Sequence, residues 1–361
     1  MLERDEIHND TKCGERDTDE SMNRADGGND DTGYEEFHSE NNSYGEAGKF
    51  HVPVSIIAFL LLIIALDLFC MIKFPRVISD YKIYKLAEDR IADGETSAAI
   101  NDLYDVAERH TDSVPIVIKL VDLSMKKGYY DTAGYIIDTY LVGKSLEDEE
   151  YNRINSYYLK LENCYNAYEA VDKIFNPAAG QDEADEAYRD NIKKQLNALL
   201  SHSDMDKAYI YYYLGLMESE IMAARDYLQQ CYNLDPECLD IRVQLSIMNR
   251  RLGDMELAKQ YAEEARDKDR RDAGALRAMS TIALAEGKLQ EGLRYAEDAY
   301  SINPDGIYIR DTYLIALSAN GRNEDAEAVR EEISQQGQAL EDDTLRFLKG
   351  EITLEEYYIG E

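Results

Sequence analysis

The sequence predicts an all-α protein, an extended array of helical hairpins preceded by a polar acidic tail and one long apolar helix. Three observations carry this expectation. Glycines recur at a step of 34 residues between positions 80 and 340, a 21-residue apolar run ends at position 72, and the first 51 residues hold almost no periodic apolar positions.

Residues 1–51 carry 15 acidic and 5 basic side chains among many Asn, Ser, Gly and Thr. Such a composition buries too little apolar surface to offset the entropy lost on ordering, so a disordered tail is expected. Its triplets Asn9-Asp10-Thr11 and Asn41-Asn42-Ser43 match the N-glycosylation pattern, which Asn- and Ser-rich tails also produce by chance.

The run VPVSIIAFLLLIIALDLFCMI over 52–72 contains one ionisable group, Asp67. At about 1.5 Å per residue, a helix of that length matches the ~30 Å hydrocarbon core of a bilayer. A single-pass transmembrane helix is therefore expected, with the bilayer as a partner and the cell membrane as the location. A cleavable signal peptide is disfavoured because the run follows 51 polar residues. Lys73, Arg76, Lys82 and Lys85 follow the run and only Lys49 closely precedes it, too thin an asymmetry to decide which side the remainder faces.

Gly94 and Gly128 are 34 residues apart, and Gly253, Gly287 and Gly321 repeat that step. Five residues after each stands a small residue: Ala99, Ala133, Ala258, Gly292 or Ala326. Two helices crossing closely after a tight turn require this. Leu86, Leu120, Leu245, Met279 and Tyr313 lie eight residues before, and Val106, Tyr140, Ala265, Ala299 and Ile333 twelve residues after, as apolar anchors. Each unit thus reads as helix, glycine turn, helix.

With Pro236 and Pro304 closing their second helices, these units resemble the tetratricopeptide repeat (TPR). In this register a first block covers 80–147 and a second 205–340, the hairpin 205–238 having a shortened turn near Glu218. Residues 148–204 break the register, with helical patterns at 151–162, 164–174 and 184–200 and a breaker at 176–180 that suggests a hinge. Residues 341–361 read as a capping helix and tail over the last repeat.

The resemblance implies a superhelix whose first helices line a concave groove for a peptide or protein partner. Its groove positions fall on Tyr81, Tyr84, Ile118 and Asp122 in the first block. In the second they fall on Val243, Arg250, Arg251, Arg277, Thr281, Tyr308 and Asp311. The arginines stand out as carboxylate or phosphate anchors in an acidic chain. The Lys/Asn clamp with which chaperone-binding TPRs grip a terminal carboxylate is missing at the corresponding positions, Arg277 with Thr281 among them.

Composition excludes other classes. With 73 acidic against 39 basic residues and a net charge of -34, no extended phosphate-binding surface is expected, and nucleic acid is not a predicted partner. The five cysteines form no CxxC pair, the five histidines no HExxH, and no GxxxxGK[ST] or GxGxxG loop occurs, so neither metal, cofactor nor catalysis is expected. Cys231 and Cys238, flanking Pro236, read as buried free thiols. The acidic run 147–150 suits a helix N-terminus. The functional expectation is a membrane-anchored scaffold for protein assembly. The alternative is a membrane-associated receptor whose superhelix closes on a peptide or small ligand.

Overall fold

The computed structural model describes residues 54–175, 186–337 and 339–358. The expected tail 1–51 and the breaker at 176–180 lie outside the described residues. The described residues fall into two units, one from 79 onward and the other over 54–78.

The described part of the smaller unit is the start of α1, Val54–Asp93, a helix of 40 residues. Phe59, Leu61, Leu62 and Leu66 are each more than 60% exposed on it. The expected membrane span over 52–72, and the cell-membrane location that followed from it, are corrected here. Among the described residues no helix is long and apolar enough to cross a membrane. The apolar run contains Asp67, and the same helix continues through Lys73, Arg76, Asp80 and Lys82 instead of ending where the apolar residues end.

The described residues of the larger unit form helices joined by short turns, arranged as successive helical hairpins. In the first block the end of α1 pairs with α2 (Thr96–Arg109), and α3 (Val114–Lys127) pairs with α4 (Tyr130–Ile136), which loosens into a π-turn at Ile137–Leu141. A long α5 (Asp148–Phe175) and α6 (Glu186–Leu199) follow. The second block is α7 (Lys207–Met217) with α8 (Ile221–Leu234), α9 (Ile241–Arg251) with α10 (Met255–Lys268), α11 (Ala273–Ala285) with α12 (Leu289–Ile302), and α13 (Ile307–Ala319) with α14 (Asn323–Gln335). Short α15 (Asp342–Leu348) and α16 (Leu354–Tyr358) end the described chain.

Local chemistry explains these elements. Gly128 and Gly253 hold φ values of 86° and 79°, a left-handed conformation in which a Cβ is strained, so glycine ends the first helix and turns the chain. The small residues Ala99, Ala133, Ala258, Gly292 and Ala326 are all buried at the crossings. Of the apolar anchors, Leu86 alone is exposed, at 45%. In the hairpin at 205–238, which lacks a turn glycine, the Glu220 carboxylate caps α8 by accepting from the Met222 and Ala223 amides at 3.0 and 2.7 Å. Asp148, Glu149 and Glu150 occupy the first turn of α5, where the helix dipole favours negative charge. The two patterns expected at 151–162 and 164–174 are one continuous helix, because nothing between them breaks the backbone.

The two blocks also meet edge to edge. The Gly94 carbonyl accepts from Arg270 N at 3.0 Å, Thr96 Oγ1 donates to the Lys268 carbonyl at 3.3 Å, and Ser97 N donates to Asp269 Oδ2 at 3.0 Å. One repeat later, the Tyr130 hydroxyl donates to Asp235 Oδ2 at 2.7 Å, and Gly128 lies so near Glu237 that an added Cβ would collide with its carbonyl. Gly94 and Gly128 are 34 residues apart, and so are the seam carboxylates Asp235 and Asp269, taken in the opposite sense along the chain. Equal repeat length on both edges lets two successive turns register against two others.

Two lysines sit in this seam, the side chain of Lys127 buried and that of Lys160 partly exposed. Lys127 Nζ sits 3.1 Å from Asp269 and 3.0 Å from Asp272, with its side chain 8% exposed and that of Asp269 fully covered. Lys160 of α5 reaches Asp206 at 2.5 Å and Asp235 at 2.6 Å, with its ammonium 4.6 Å from the Tyr130 ring centroid. Burial alone lowers a lysine pKa, yet the paired carboxylates outweigh it and hold both ammonium groups well above the usual lysine value. Asp206 and Asp272 also cap α7 and α11, so one carboxylate serves both a helix end and the seam.

Candidate functional site

The first helices α9, α11 and α13 pack against one another as well as against their hairpin partners. Along this inner row the helical period brings Arg250, Arg277, Tyr308 and Asp311 to one side. The Arg277 guanidinium lies 5.4 Å from the Tyr308 ring centroid, a cation–π distance. Arg250 is 8% exposed and Asp311 only 3%.

What covers them is the chain's own C-terminal segment. Tyr358 of α16 is 2% exposed. Its ring centroid is 5.2 Å from the Arg250 guanidinium, and its backbone carbonyl accepts a hydrogen bond from Arg250 Nη1. Asp311 accepts from Thr344 Oγ1 at 2.8 Å and from the Glu341 amide at 3.3 Å, and Thr344 in turn meets the Tyr357 hydroxyl at 3.0 Å. The Tyr357 and Tyr358 rings stand edge to face, 4.8 Å apart. Burial pushes the Tyr357 hydroxyl up to about 12 and raises the Asp311 carboxyl above its ordinary value, although Thr344 and the Glu341 amide pull Asp311 back. The segment expected to cap the last repeat therefore reaches further, across α13 and α11 to the end of α9.

The remaining sequence-predicted positions are scattered. Tyr81 is 61% exposed. Tyr84 packs under Lys119, whose ammonium is 4.9 Å from its ring centroid. Ile118 and Val243 are each 4% exposed and belong to hydrophobic cores. Asp122 accepts from Arg153 and Tyr157 of α5 at 3.1 and 2.9 Å, which ties the first block to the long helix. Thr281 is buried and returns its hydroxyl to the Ala278 carbonyl at 2.9 Å. Arg251 is exposed at the end of α9.

Sequence reasoning did not single out Tyr357, Tyr358 or Thr344. The available signal was the pair Thr353 and Glu356, a capping box that marks Leu354 onward as a helix start and not a loose tail. Both of its hydrogen bonds form, Thr353 N to Glu356 Oε2 at 2.7 Å and Glu356 N to Thr353 Oγ1 at 3.2 Å. The free thiols Cys231 and Cys238 are buried as expected, and contact with Cys231 together with burial raises the Cys238 pKa.

No family model matches this chain, and no curated protein matches it. Solved structures do. A tetratricopeptide repeat protein from Parabacteroides merdae ATCC 43184 is 12% identical, over 78% of this chain and 99% of that one, with a TM-score of 0.38. MamA of AMB-1 is 10% identical over 50% of this chain and 94% of its own, at 0.33. YrrB, a TPR protein with an unusual peptide-binding site, is 15% identical over 57% and 95%, at 0.32. These structural neighbours are TPR proteins.

Proposed function

We propose that this chain is a TPR-type interaction scaffold that holds a protein or peptide partner on the inner row of its second block and performs no chemical step of its own. The row of Arg250, Arg277, Tyr308 and Asp311 supplies cationic, aromatic and acidic groups along three parallel helices, with Arg251 exposed at one end. One observation supports the reading above the others: the row already holds a helical segment from a distant part of the chain, by ring stacking and by a backbone contact. A surface that binds one short helix has the geometry to bind another.

The receptor alternative, in which a ligand closes the superhelix, is disfavoured by the seam at Lys127 and Lys160, which already joins the two blocks. Site-specific photo-crosslinking from the full-length protein tests the scaffold. A crosslinker at position 251 is expected to capture a partner that one at position 260 on α10 does not, and Arg277→Ala is expected to remove that capture. Identical capture from both positions would refute the assignment of the row.

A further inference from the structure

Helix α16 has five residues, far fewer than an isolated helix needs to persist in water, so its order comes from the row it lies on. Its seat is incomplete. The Tyr358 hydroxyl is buried and finds no hydrogen-bond partner among the described residues, a cost that docked ligands normally avoid. Tyr358 packs into the apolar cluster of Leu284 and Leu314, with Leu354 and Tyr357 against it, and the polar contacts beside that packing are those of a bound peptide: a ring on the Arg250 guanidinium, a carbonyl accepting from the same arginine, and Tyr357 joined to Asp311 through Thr344. Gly350, at φ 72°, closes α15, and the short link 351–353 carries the chain from that turn to α16.

We propose that Leu354–Tyr358 is a resident ligand in cis, which occupies the inner row and gives way to a partner segment of the same class: a short helix with two adjacent aromatic residues, the second packing on Arg250. The inference rests on the reading of the row as the binding surface and adds what that surface recognises and how access to it is controlled. Because the resident's own hydroxyl lacks a partner, a competitor carrying Phe at the position of Tyr358 is expected to outbind it.

The test uses the full chain and a fluorescein-labelled, C-terminally amidated peptide of residues 351–358. The peptide is expected to bind the Tyr357→Ala/Tyr358→Ala chain at least about tenfold more tightly than the wild type, as loss of a central aromatic anchor implies. Adding Arg250→Ala to that double variant is expected to abolish binding. Equal binding to wild type and variant, dependent on Arg250, would overturn the control of access while leaving the binding surface standing. Binding to neither chain would overturn the proposed ligand class, and crosslinking from position 251 would then report separately on the scaffold reading. Should the double variant misfold, the wild type supplies the answer. Excess peptide with Phe for Tyr358 is expected to accelerate hydrogen exchange at 354–358 in the intact chain, and unchanged exchange there would overturn the proposal.

Discussion

Replacing Gly128 by alanine separates two effects that coincide at one residue. Gly128 and Gly253 occupy the same place in their repeats, with φ values of 86° and 79°. A Cβ in that left-handed conformation costs about 1–2 kcal/mol at either site. At Gly253 nothing lies within 4 Å of the added carbon, so Gly253→Ala should cost only that. At Gly128 the carbon meets the Glu237 carbonyl, and backbone cannot swing aside as a side-chain tip can. Relief requires the turn to lift off the 235–237 edge, which breaks the Tyr130 to Asp235 hydrogen bond and pulls Lys127 from Asp272. Losing those partly buried charged contacts adds about 2–4 kcal/mol. For a unit of this size each kcal/mol shifts the melting temperature by about 2–4 °C, so Gly128→Ala should lose at least about twice as many degrees as Gly253→Ala. Calorimetry of both variants measures the difference, and hydrogen exchange should show faster opening at 235–237 and 268–272 in Gly128→Ala alone. Equal melting losses with unchanged exchange at those turns would mean that the two blocks do not depend on the seam.

The other predictions concern charge. Lys160→Met leaves Asp206 and Asp235 without their cation and, allowing for the partial exposure of Lys160, should destabilise the fold by about 2–3 kcal/mol in urea titrations; a loss under about 0.5 kcal/mol would relegate the pair to the surface class. Lys160 and Lys127 hold Asp235 and Asp269 below the usual carboxylate range despite their burial, so the folded state binds fewer protons there than the unfolded state does. Their contribution is complete above about pH 4 and disappears as the pH falls further, which acid titration followed by circular dichroism would register. Asp311 has the opposite sign: its folded pKa is raised, so its contribution is present at low pH and lost as the pH rises through that value. Asp311→Asn should therefore gain on the wild type between pH 4 and pH 7, and a stability difference that ignores pH over that interval would contradict the burial of a charged carboxylate against α15.

The hairpins were legible because each depends on residues close in sequence. A turn glycine, a small residue five positions on and apolar anchors at helical spacing act within one 34-residue unit, and the 3.6-residue period directs the anchors inward wherever the unit is placed. The same local logic placed the acidic first turn of α5. It also produced the transmembrane expectation, since a window of 21 residues cannot report that the helix continues to Asp93 through charged sequence. Of the positions the repeat register singled out, Arg250, Arg277, Tyr308 and Asp311 lie along one row of helices, whereas Ile118 and Val243 are buried in cores. Register specifies a direction from the helix axis, and the neighbouring helix decides whether that direction is solvent or core.

The contacts that join distant parts of the chain left no such trace. Lys127 meets Asp272 across 145 positions and Arg250 meets Tyr358 across 108, and neither pair disturbs the local pattern of its own helix. The amino-acid order by itself determined the repeating hairpin, its turns and its closely packed crossings, because those answer to backbone conformation and short-range packing. Only the tertiary structure decided that one block docks edgewise on the other and that the C-terminal tyrosines lie on the inner row. Those choices depend on which surfaces, already formed, come within reach of each other once the solenoid has turned.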